Sequence, residues 1–74
     1  MRNEPAQAVA VFRRVLQFEP KSEKAHVSLG LLYLDMGEKD LVLSEYRALQ
    51  ASGSSFAPYL LNEINARASV ATMR

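Results

Sequence analysis

Apolar residues recur along most of this chain at the i, i+3, i+4, i+7 spacing of amphipathic helices, and no stretch needs a strand. The first run covers residues 4–19. Ala8, Phe12, Val15 and Leu16 fall on one face, Val9 and Val11 widen it, and Gln7, Arg13, Arg14 and Gln17 take the polar side. Pro5 suits a first helical turn, where its missing N–H costs nothing. Pro20 stops the helix, because the residue before a proline is pushed out of the α region.

The second run, residues 23–36, is apolar on two sides. Ala25, Leu29, Leu32 and Tyr33 make one face, and Val27, Leu31 and Leu34 make another. A helix with this pattern is buried on more than one side or carries a binding surface. Ser22 is placed to cap its start, with Glu23 in the first turn where the helix dipole favours negative charge. Gly37 ends it as a left-handed C-cap would. Gly30 stands in mid-helix, where glycine costs about 1 kcal/mol relative to alanine. Close approach of the third helix is the expected compensation.

The third helix is predicted over residues 39–51, with Leu41, Val42, Tyr46 and Leu49 on the helical period and Glu45 the polar exception. Residues 51–55 read as a loop. The fourth helix is predicted over 56–71, capped by Ser54 or Ser55, with Pro58 tolerated in its first turn. Leu60, Ile64, Ala68 and Ala71 form its stripe, and the small apolar residues past Arg67 suit a fraying end. Four helices with short connections make antiparallel neighbours, so the predicted class is all-α.

Shifted against itself by the ~34-residue period of one helical repeat family, the chain sets Ala8 on Val42, Phe12 on Tyr46, Val15 on Leu49 and Pro20 on Ser54. His26, Leu29-Gly30, Tyr33, Gly37, Val42, Tyr46 and Ser54 follow the order W-x2-L-G-x2-Y, turn glycine, small residue, aromatic, proline. In this the sequence resembles the tetratricopeptide (TPR) repeat, departing from it in His26 for Trp, Val42 for Ala and Ser54 for Pro. The resemblance covers residues 6–70. It implies antiparallel helix hairpins in a short right-handed solenoid within a single domain: a half repeat at 4–22, a complete repeat at 23–55 and a cap helix at 56–74. Ala8, Phe12, Leu29, Gly30, Tyr33, Gly37, Val42, Tyr46 and Leu49 then serve repeat packing. A four-helix bundle with a coincidental L-G-x2-Y is the competing architecture.

Composition narrows the function further. Seventy-four residues make one small domain, of marginal stability without a partner. Cysteine is absent and there is one histidine, so thiolate metal sites and disulfides are excluded and no cofactor is expected. Net charge is +1 with the signs mixed, which points away from nucleic acid. No apolar run approaches the ~18–20 residues of a membrane span, and the start, Met1 to Pro5, lacks a signal-peptide core. A cytoplasmic protein is the default expectation. The serines lack a neighbouring base, and Asp35, Glu38 and Asp40 read as helix-end solvation. No enzyme activity is expected.

The resemblance implies a concave surface lined by the first helix of each repeat. The matching residues are Lys24, Val27, Ser28, Leu31, Leu34 and Asp35, with Leu61, Asn65 and Ala68 on the cap helix. This apolar stripe with charged ends suits a peptide or amphipathic helix of another protein. Val27 and Leu31 stand where some family members carry polar groups that clamp a terminal carboxylate, which argues against that ligand. The other reading of Val27, Leu31 and Leu34 is burial against a neighbouring helix or a second copy. The chain starts in mid-repeat, so it is read as part of a longer array that self-associates when alone, through its open end or by exchange of helices about Gly37.

Overall fold

The computed structural model of the chain describes residues 4–73, with side chains from 5 to 67. Four helices follow one another: α1 (Glu4–Phe18), α2 (Glu23–Met36), α3 (Lys39–Ala51) and α4 (Phe56–Met73). The chain is all-α, and its helix bounds fall within two residues of those the periodicity predicts. The side chains of Ala68 and Ala71, assigned above to the α4 stripe and the groove, lie outside the described residues, as do residues 1–3.

The local signals act where the residue chemistry places them. The Ser22 hydroxyl accepts the Ala25 N–H at 3.2 Å, satisfying one of the orphan donors at the start of α2. Gly37 takes φ 78°, and the turn closes with Gly37 N–H donating to Leu34 and Glu38 N–H to the Tyr33 carbonyl. Ser54 sits where the repeat pattern has proline. It is buried, its N–H donates to the Leu49 carbonyl, and its hydroxyl accepts the Phe56 N–H at 3.0 Å. One small polar residue thus closes α3 and opens α4.

Helix α2 is central. It packs against all three other helices, α3 and α4 touch each other, and α1 touches α2 alone. The Cα envelope measures 41 × 36 × 16 Å, so the assembly is a thin slab with two broad faces. Leu29, Leu49, Leu60 and Val42 are its largest fully buried side chains. Each is worth about 1.5–3 kcal/mol when removed from water. Tyr33 and Ala57 join them, and Val9, Phe12, Leu16, Leu31, Leu34, Tyr46 and Ile64 pack half-buried around the cluster. The Tyr33 hydroxyl lies 3.5 Å from the Arg13 guanidinium, a long contact at the rim.

The reason for Gly30 differs from the one expected. A Cβ there would stand 2.6 Å and 3.1 Å from the two Cδ atoms of Leu60. The glycine therefore makes room for a side chain of α4 rather than for the backbone of α3. Leu60 has no exposed surface, and it fills the notch that the missing methyl leaves.

Candidate partner-binding face

Lys24, Ser28, Leu31 and Asp35 recur at steps of four, three and four residues, which keeps them on one side of α2. Ala25, Val27, Leu29, Gly30 and Tyr33, the buried residues of the helix, lie off this line. Lys24 and Asp35 are exposed, and Ser28 and Leu31 half-buried. On α4, Leu61 and Asn65 lie one turn apart, both exposed. Among these residues Leu31 and Leu61 offer apolar surface, and Lys24, Asp35 and Asn65 offer polar groups around it.

Two residues of the predicted stripe lie elsewhere. Val27 is 7% exposed and belongs to the core cluster, so it has no surface for a partner. Of the two readings open for it, burial against neighbouring helices holds. The reason is that α2 has three helical neighbours, and a residue one turn from the Gly30 notch falls between them. Leu34, like Leu31, is half-buried against the same core, and Leu34 also lines a separate cavity at the α2–α3 turn. The packing residues divide in the same way. Leu29, Tyr33, Val42 and Leu49 are buried, while Ala8, Phe12 and Tyr46 are half-buried.

Asp35 is already engaged. Its Oδ1 accepts a hydrogen bond from Nη2 of Arg67 at 2.7 Å, tying the end of α2 to α4. Both side chains are at least half exposed, so the pair adds at most about 1 kcal/mol. Its larger consequence is positional: it fixes the charge at one end of the open face.

His26 has partners that helical spacing alone does not suggest. Nδ1 is 2.7 Å from Oε1 of Glu45, and Nε2 is 2.8 Å from the Pro20 carbonyl. Both partners are acceptors, so the ring donates both bonds only in its doubly protonated form. The bridge joins α2 to α3 and to the α1–α2 connection. The polar exception on the α3 stripe was its sequence signal: Glu45 faces inward because His26 awaits it. Among the described residues no buried side-chain nitrogen or oxygen lacks a partner. No three His, Asp or Glu side chains gather there as a metal would need. No described helix is long and apolar enough to cross a membrane. In comparisons with known proteins, no family model, no curated protein and no solved structure matches this chain.

Proposed function

We propose that this chain is a protein-interaction scaffold of the cytoplasm, without catalytic activity, that seats a peptide or helical segment of another protein on the open face of α2 and α4. The observation that carries the reading is the face itself. Half-buried Leu31 on α2 and exposed Leu61 on α4 leave apolar surface open, and exposed Lys24, Asp35 and Asn65 supply polar groups on the same two helices. A rigid pair of helices offering apolar anchors between charges is the geometry that holds an amphipathic segment. The likeness of residues 6–70 to TPR repeats supports it, since there too the first helix of each hairpin lines the groove.

The reading is tested by titrating amphipathic helical peptides into the labelled protein and following backbone amide shifts. A peptide that binds should move the amides around Lys24, Ser28, Leu31, Leu61 and Asn65. The pair Leu31→Ser and Leu61→Ser should weaken binding by roughly ten- to a hundredfold, for about 1.4–2.7 kcal/mol of lost apolar contact. Shifts confined to other surfaces would remove this face from consideration.

A second reading, a homo-oligomerisation unit with no separate ligand, has its own observation. Val11 on α1 is 58% exposed, although it belongs to an apolar arc that α2 covers only in part.

A further inference from the structure

We propose that a second copy of this chain inserts its Phe18 side chain into the apolar cavity at the α2–α3 turn. Phe18 is the most exposed large apolar side chain described, at 80%, and it projects from the last position of α1. Neither helix packing nor the open face of α2 and α4 uses it. Glu19, also exposed, follows it directly.

The cavity lies where α4 passes the α2–α3 hairpin. Leu34, Val42, Leu43 and Ile64 supply its apolar walls around Gly37, and its volume is about 360 Å³. A dry cavity of about 150 Å³ lined by such residues holds benzene, so an aromatic ring fits with room to spare. Among the described residues the charged groups lining it are Lys39 and Arg67, both cationic. Arg67 shares one nitrogen with Asp35, and Lys39 has no ion-pair partner among the described residues. An aromatic ring followed by a carboxylate is the chemical complement of an apolar hole edged by cations. The chain carries that pair at Phe18-Glu19, and there the carboxylate also has no ion-pair partner among the described residues.

Knob and cavity are different places on one chain, so the contact is heterologous. That permits a complementation test. Phe18→Ala removes the knob and leaves the cavity, whereas Leu43→Glu places a repelling carboxylate at the cavity and leaves the knob. Both positions are exposed, and circular dichroism checks that each variant keeps its helices.

In sedimentation velocity the parent chain should gain mass as concentration rises through the order of 0.1–1 mM, the range for a contact this small. Each variant alone should stay at the mass of one chain. An equimolar mixture should form a one-to-one pair, because each partner contributes the half the other lacks. Glu19→Lys should weaken the parent association by roughly tenfold, and combining it with Lys39→Glu should restore it. A parent chain that stays single to 1 mM would overturn the proposal. So would variants that associate as the parent does, or folded variants that fail to pair in the mixture.

Discussion

At the scale of single residues, the contacts made by Gly30 and His26 matter more than their types suggest. Gly30→Ala gains roughly 1 kcal/mol of helix propensity. It also drives a methyl to within 2.6 Å of a fully buried leucine. Overpacking of this kind costs about 1–3 kcal/mol, so a net loss of about 1 kcal/mol is expected in urea unfolding. Leu60→Ala alone should cost about 2–5 kcal/mol. Because the added methyl occupies space the leucine vacates, the double variant should be more stable than Leu60→Ala. Simple additivity in that cycle would mean that Gly30 is not there for Leu60. For His26, replacement by Phe removes the ring nitrogens that meet Glu45 and the Pro20 carbonyl. The side chains of the pair are only 16% and 14% exposed, so a loss of about 1–3 kcal/mol is expected. The bare composition gave no hint of this bridge. A histidine and a glutamate nineteen positions apart become partners only when α2 and α3 lie antiparallel.

At the scale of elements, the capping positions separate cleanly from the packing positions. A Cβ on Gly37 would meet nothing within 4 Å, so Gly37→Ala is opposed only by the left-handed backbone. That conformation costs a non-glycine residue about 1–2 kcal/mol. Gly37→Asn should cost less than Gly37→Ala, since asparagine tolerates the region, and chemical denaturation of the two variants distinguishes the cases. The caps were legible in sequence because they act within a few residues of themselves: Ser22 before an apolar run, Gly37 after one. Which face of α2 each neighbour covers was not legible. A helix apolar on two sides allows several arrangements of three partners, and in the one adopted Val27 is buried while Leu31 is half-buried. The two residues look alike in the string and separate in the packing.

At the scale of the whole molecule, the slab has one helix held on a single side. Helix α1 packs against α2 alone, while α2 has three neighbours. Local opening follows the number of buried contacts an element would lose. In native-state hydrogen exchange the amides of α1 should therefore exchange first, at a free energy below global unfolding, and those of α2 last. Uniform protection over all four helices would contradict this ordering. The Asp35–Arg67 pair belongs to the same scale, since it spans α2 and α4. Asp35→Asn should change global stability by less than about 1 kcal/mol.

The division between sequence and tertiary structure follows from the range of the forces involved. Helical periodicity, proline stops, the Ser22 cap and the left-handed Gly37 are properties of a few adjacent residues. The string therefore determined four helices, their bounds to within two residues, and the apolar character of their inner faces. Only the assembled helices decided that Gly30 receives Leu60, that His26 bridges Pro20 and Glu45, and that Val27 is buried while Leu31 stays half-buried at the edge of the core. Each of those outcomes depends on the angle and offset between helices. Packing of whole faces sets these, and no local residue preference encodes them.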